Sequence, residues 1–370
     1  MKVISLIEKI IQIESLSGKE EELSDYLSEF LLSRHWPVKI INGNLVLFVK
    51  GKDSRQALIF NAHLDTVGAG DCSKWQYPPT GPESGRIIGN KIFGLGASDC
   101  KAGIASILGM IAEYQENGQA PPIDLWVALV VKEESDGSGT EDFLKWFPKK
   151  KYKNVSGIIA EPTSLELMET GHRGNIFLTL KTFGKSGHAA GEYQDDELAW
   201  GKLIKALAIL RKNLPQWQKK FTHKLLGKPT LNITAVHSGA GSVNKIPDQF
   251  TAQIDLRTTL LCHSLILKEI VMKLEGLATL KISENPRAPG WTNPQSRIAR
   301  AVKSAAPKVR TAVSLGSTDL GIFNEFGIEA VVFGPGEKGA IHRENEYAYI
   351  SKVTGCAKLY KKIIDAYASS

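Results

Sequence analysis

The sequence predicts an α/β protein in which a mixed sheet between helices is interrupted by a smaller ferredoxin-like β-α-β-β-α-β domain. Three observations predict it. Short apolar strands alternate with amphipathic helices over roughly the first 160 residues. From about residue 171 the order becomes strand, helix, strand, strand, helix, strand, a split βαβ unit able to fold alone. Pro286, Pro289 and Pro294 then punctuate a return to α/β material. At 370 residues the chain is long enough for two domains. The expected division is residues 1–170 with 285–370 as one domain and residues 171–284 as the inserted one.

Taken in order, helical periodicity marks Ile4 to Ile13 and Glu20 to Leu32. Extended runs follow at Ala57 to Ala62, Ile92 to Phe93, Leu125 to Val131 and Ile158 to Ala160, with helices over Ala102 to Tyr114 and Thr140 to Trp146 between them. In the inserted segment, Asn175 to Phe183 reads as a strand and Leu198 to Leu214 as a helix. Strands at Leu231 to His237 and Phe250 to Arg257 come next, then a helix near Leu265 to Leu274 and a strand at Leu280 to Ser283. Ser351 to Tyr367 reads as a closing helix.

With 42% apolar and 23% charged residues, the composition is that of a globular protein with ample core. The amphipathic start carries charges inside its apolar stretch, unlike a signal peptide. The longest apolar run, near Leu125 to Val131, is too short to cross a bilayer, so no membrane partner is expected. Cys72, Cys100, Cys262 and Cys356 are far apart and form no CxxC pair, which suits a reducing cytoplasm. A net charge of +7 invites a nucleic-acid reading. The lysines are dispersed, however, apart from Lys149, Lys150, Lys151 and Lys153, and no aromatic-interleaved basic stretch exists, so no nucleic-acid partner is expected. The basic balance suits an anionic small substrate.

Groups able to bind metal sit where strands end. His63-Leu64-Asp65 follows Ala57 to Ala62, at a strand's C-terminal end, and alternation points His63 and Asp65 to one side. Asp65 is then placed to orient the His63 ring, although for His-x-Asp alone a satisfied surface histidine is the plainer reading. Asp99 follows the glycine-rich turn Gly94-Leu95-Gly96 at a helix entrance, as an N-cap or as a carboxylate beside His63. Glu133-Glu134 follow the Leu125 to Val131 strand, where a solvated loop is the plainer reading. Glu161 follows Gly157 to Ala160, and His342 follows Val331 to Phe333 through Gly334-Pro335-Gly336. Together these form a mixed N/O set suited to zinc, with cobalt or manganese as alternatives. Five ligands exceed one tetrahedral site and fit two metals sharing a carboxylate, with one glutamate left as a base.

These motifs, with Thr66-Val67, Gly70-Asp71, Trp75, Pro78-Pro79 and Glu161-Pro162-Thr163, resemble the co-catalytic zinc exopeptidase family along nearly the whole chain. That family includes succinyl-diaminopimelate desuccinylase, acetylornithine deacetylase, acetyl-lysine deacetylase, aminoacylase and glutamate carboxypeptidase. The resemblance implies that Asp99 bridges two Zn2+ ions per subunit, that His63 and Glu161 complete one site, and that Glu134 and His342 complete the other. It makes Glu133 the general base, the inserted domain a lid and dimerisation domain, and the protein a homodimer. It implies that His188 is lent to the partner subunit's site to stabilise an oxyanion, and that Arg173, Asn244, Arg257, Gly316 and Ser317 contact substrate. Leu95, Cys100 and Ala102 depart from the family's commoner residues without removing a ligand. The expected function is hydrolytic removal of a succinyl or acetyl group from an N-acyl amino acid such as N-succinyl-diaminopimelate, acetylornithine or acetyl-lysine. A metallo-carboxypeptidase or dipeptidase acting on short peptides is the alternative. A non-catalytic binding module is the contrasting class, and loss of a ligand or of the base would mark it.

Overall fold

The computed structural model describes residues 3–239, 242–283, 286–314 and 316–370. It divides into two compact units, one of Met1–Gly171, Trp291–Ser314 and Thr318–Ser370, the other of His172–Gly290 and Leu315–Ser317. The junction expected at residues 284 and 285 lies outside the described residues.

The first unit is built on a nine-stranded mixed sheet. Its middle runs Asn44–Val49, Ile123–Val130, Asp53–His63, Asn154–Ile159, Glu329–Val332. Alternating residues of these strands feed different cores. Leu58, Phe60 and Ala62 pack with Ile104, Ile107, Tyr360 and Ile364, whereas Ala57 and Ile59 pack with Phe143 and Phe323. Helices therefore cover both faces, and complete burial of each large side chain contributes about 1.5–3 kcal/mol. The three neighbours Ile123–Val130, Asp53–His63 and Asn154–Ile159 are parallel, with His63 opposite Val130 and Asn61 opposite Ile159. Glu329–Val332 continues parallel to Asn154–Ile159, with Val332 opposite Ile159. Their C-terminal ends share one edge of the sheet. His63 closes one strand, Glu133-Glu134 and Glu161 follow two others, and the segment to His342 leaves the fourth.

The second unit has strands Gly174–Phe183, Thr230–Ser238, Gln249–Thr258 and Thr279–Ile282, with helices Ala199–Phe221 and His263–Leu274 between them. Its sheet order is Thr230–Ser238, Gln249–Thr258, Gly174–Phe183, Thr279–Ile282, all antiparallel. Ile176, Leu178 and Leu180 meet Leu203, Leu210, Ile266 and Ile270 in a core of its own.

Several elements differ from the expected ones. The helix expected to stop at Leu214 continues through Pro215 to Phe221. Proline costs a helix one hydrogen bond, but Trp217 and Phe221 are buried here and the Trp217 indole N–H donates to Glu269 at 2.6 Å. The hairpin Val38–Ile41/Asn44–Val49 went unpredicted although Asn42-Gly43 at its turn has φ of 48° and 87°. The strand Leu167–His172 was hidden by polarity, because Glu169 and Thr170 are buried within it and Glu169 pairs with Lys338. Within the lysine cluster, Lys149 donates to the Phe326 and Gly327 carbonyls at 2.6 and 2.9 Å, and Lys151 lies 3.3 Å from Asp124. Those two lysines brace the fold.

Candidate metal centre

The shared strand edge brings five side chains of the first unit together. His63 Nε2 lies 3.0 Å from Asp99 Oδ1 and 3.3 Å from Glu161 Oε1. His342 Nε2 lies 3.4 Å from the other Asp99 oxygen, Oδ2, and 3.0 Å from Glu134 Oε1. Each Asp99 oxygen thus faces a different histidine, and each histidine faces one further glutamate. The groups fall into two halves sharing one carboxylate. His63, Asp99 and Glu134 have ligand atoms within 4.8 Å of one another, as do His63, Cys100 and Glu161. Such nitrogen and oxygen donors suit zinc, cobalt or manganese.

Asp99 does not cap a helix. The regular helix begins only at Ala102, with Lys101 at the capping position, and the Asp99 carboxylate faces His63 and His342; its own backbone is extended, with φ −117° and ψ 89°. Gly96 makes the turn possible with φ 74°, and a Cβ there would stand 2.6 Å from Thr66 Cγ2. Lys132, immediately before Glu133, and His342 itself are also left-handed, with φ of 60° and 54°. Such backbone strain gathers where function dictates geometry.

Asp65 lies against the His63 ring and takes a further part besides. His63 Nδ1 is 2.8 Å from the Asp65 carbonyl oxygen and 3.6 Å from its carboxylate. The carboxylate also accepts the Ser17 hydroxyl at 2.6 Å and the backbone N–H groups of Glu133 and Glu134, each at 3.0 Å. Those amides need acceptors once covered, so Asp65 fixes the two glutamates while its backbone oxygen fixes the ring. Glu133 is itself buried. Sequence reasoning missed Ser17, and it missed Glu346, whose buried carboxylate supports the Asp99 turn.

Charge in the cluster is strongly perturbed. Burial works against a charged His63, yet the Glu161 carboxylate and its other acidic neighbours lift its pKa well above the ordinary value. Hydrogen bonds to Asp99 and Glu134 raise His342 to about 10. Burial pushes Asp99 upward, but contacts with His342 and His63 outweigh it and hold the carboxyl far below the usual range. Burial and the neighbouring Asp99 push Glu161 up to about 8. The Cys100 thiol, fully buried with Sγ 3.5 Å from the Ala160 carbonyl, is raised well above its usual pKa by burial, which makes it a poor nucleophile. Beside His342 a groove is lined by Val67, Trp75, Leu95 and Arg343.

The remaining expected residues fall in the second unit, in two groups. His188 pairs across a short ladder with Lys245, and the adjacent Ala189 N–H donates to the Asn244 carbonyl at 2.9 Å. The His188 side chain is exposed. Arg173 donates to the Lys228 carbonyl at 3.2 Å, and its own carbonyl accepts from the Ser317 hydroxyl at 3.2 Å, next to Gly316. Burial and the nearby Arg257 charge both lower the Arg173 pKa. Arg257 is held bidentately by Asp255 at 2.8 and 3.0 Å, so two of its guanidinium nitrogens are already engaged.

Among the described residues no helix is long and apolar enough to cross a membrane, and all four cysteines are free. The chain is 27% identical to a succinyl-diaminopimelate desuccinylase of Aliarcobacter butzleri, over 98% of this chain and 99% of that one. Among solved structures it is similar to an M20 family metallo-carboxypeptidase of Sulfolobus solfataricus, with TM-score 0.80, 18% identity and full coverage of both chains. A dinuclear metal binding peptidase of the M20 family from Bacillus subtilis matches with TM-score 0.70 and 15% identity, over 98% of this chain and 96% of that one. The model of the peptidase family M20/M25/M40 matches residues 59–366, and the chain belongs to that family of hydrolases.

Proposed function

We propose that this protein is a cytoplasmic di-zinc hydrolase that removes a succinyl or acetyl group from an N-acyl amino acid, with His63, Asp99, Glu134, Glu161 and His342 as the ligands. The observation that carries the reading is the Asp99 carboxylate with one oxygen toward each histidine, at 3.0 and 3.4 Å. Zinc ions bound there, or cobalt or manganese, would polarise the amide carbonyl and lower the pKa of a water. Glu133 would take a proton from a water at the centre and deliver it to the departing nitrogen. Asp65 keeps Glu133 in reach by holding its backbone N–H at 3.0 Å. A complete ligand set with the base present supports an enzyme over a binding module.

Arg173, Asn244 and Arg257 are the proposed contacts to a substrate carboxylate, and Gly316 and Ser317 belong to a proposed substrate-contacting loop. The same arginines suit the terminal carboxylate of a short peptide, so carboxypeptidase or dipeptidase activity is the competing specificity. Turnover on N-succinyl-diaminopimelate, N-acetylornithine, acetyl-lysine and a set of dipeptides separates the two. Chelator-sensitive release of succinate or acetate supports the deacylase, cleavage of dipeptides alone replaces it, and hydrolysis unaffected by chelator contradicts the metal mechanism.

Metal uptake should be strongly pH-dependent. Histidines whose pKa is raised, to about 10 for His342, hold protons at neutral pH that a cation must displace. Affinity for Zn2+ should therefore rise with pH across the neutral range, with net proton release. Calorimetry in buffers of different ionisation enthalpy measures this, and uptake without proton release contradicts it.

The proposed homodimer uses the second unit. Thr230–Ser238 is an edge strand there, with Ile233 and Val236 exposed, a surface that invites pairing. If His188 serves the partner's centre, mixing His188→Ala chains with Glu133→Gln chains should restore up to about a quarter of wild-type activity, since half the chains are heterodimeric and each has one intact centre. Verified heterodimers without activity contradict the exchange.

A further inference from the structure

Glu346 lies four residues beyond His342, is only 2% exposed, and its carboxylate accepts three backbone N–H groups. Gly96 donates to Oε2 at 2.9 Å, while Ser98 and Asp99 donate to Oε1 at 2.8 and 3.0 Å. The three donors converge because Gly96 adopts a left-handed conformation, the usual way a backbone concavity for an anion is made. The two segments are tied at further points. The Gly94 N–H donates to the Glu346 carbonyl at 3.0 Å, and the Ser98 hydroxyl donates to the Tyr347 carbonyl at 2.7 Å. On the same turn the side-chain nitrogen of Lys101, itself fully buried, donates to the Ile13 carbonyl at 2.7 Å.

We propose that Glu346 is a positioning residue: by clamping the backbone on which Asp99 sits to the loop that carries His342, it fixes the placement of the Asp99 carboxylate relative to His342 and so governs cation affinity and the chemical step. The proposal rests on the reading of Asp99 and His342 as ligands. Burying a carboxylate beside Asp99 is costly, and the three N–H donors offset part of that cost. A cap serving only the fold could sit anywhere on the loop. This one links the bridging carboxylate to a histidine contributed from nearly 250 residues away in the chain.

Glu346→Gln separates positioning from folding. The amide can keep an oxygen toward Ser98 and Asp99 but presents a nitrogen, a donor, to the Gly96 N–H. Glu346→Ala removes all three bonds. Zn2+ and Co2+ titrations of wild type and both variants, with steady-state kinetics, thermal melts and amide exchange on the metal-free protein, decide the matter. We expect Glu346→Gln to weaken cation binding about 10–100-fold, the size typical for residues that support ligands. Its kcat should fall similarly with KM nearly unchanged, the melt should stay near wild type, and the Gly96, Ser98 and Asp99 amides should exchange faster. Should Glu346→Ala fail to fold, the glutamine variant alone carries the test. Wild-type cation affinity and kcat in Glu346→Gln would overturn the proposal, even with faster exchange. Wild-type protein that takes up neither cation would remove the ligand reading and the proposal with it, a result distinct from unchanged uptake by the variant.

Discussion

Asp99→Asn should abolish measurable hydrolysis and cost the protein at least one of the two metal equivalents proposed for it. Asparagine has nearly the same shape but one carbonyl oxygen and no charge, so it cannot present an oxygen to both His63 and His342 as the carboxylate does at 3.0 and 3.4 Å. The two histidines also lose the anion that helps raise their pKa values. The cation-dependent part of transition-state stabilisation is several kcal/mol, so turnover should fall by roughly 10³-fold or more. Metal analysis after dialysis, with activity on the best substrate, checks it. Two retained equivalents and near-wild-type turnover would falsify the bridging role.

Glu133→Gln should give the opposite pattern, with metal content unchanged and turnover down by about 10²–10⁴-fold. The backbone N–H that Asp65 holds is untouched by the substitution, so the loop and its neighbour Glu134 stay in place. A pure loss of proton transfer lowers kcat and leaves KM nearly constant when binding is unaffected. Normal turnover in this variant would remove Glu133 from the mechanism, and loss of a metal equivalent would make it a ligand instead.

How much of this was legible in the sequence differs from group to group. His63, Glu134, Glu161 and His342 could be found because each follows an apolar run, and parallel strands put such ends on one edge of a sheet. Asp99 was ambiguous for a physical reason. A carboxylate after glycines and before a helix looks the same whether it caps the helix or points away, and only the observed direction of its oxygens, toward His63 and His342, decides. Asp65 was found, but its division of labour was not, since which of its oxygens meets the ring depends on the turn following the strand. Glu346 carried no local signal, being one of several polar residues in a loop. Its importance lies in burial against three amides more than 240 positions away. In the fold, amphipathic helices and fully apolar strands were readable, whereas Leu167–His172, with buried Glu169 and Thr170, was not. Polar residues satisfied by tertiary partners erase the periodicity on which such readings depend.

Crystals soaked with or grown in Zn2+ and measured at the zinc absorption edge test the central claim most directly. Two anomalous peaks about 3.5–4 Å apart are expected, with Asp99 between them, His63 and Glu161 around one, and Glu134 and His342 around the other. A single peak, or peaks away from Asp99, would contradict a two-metal centre built on that carboxylate.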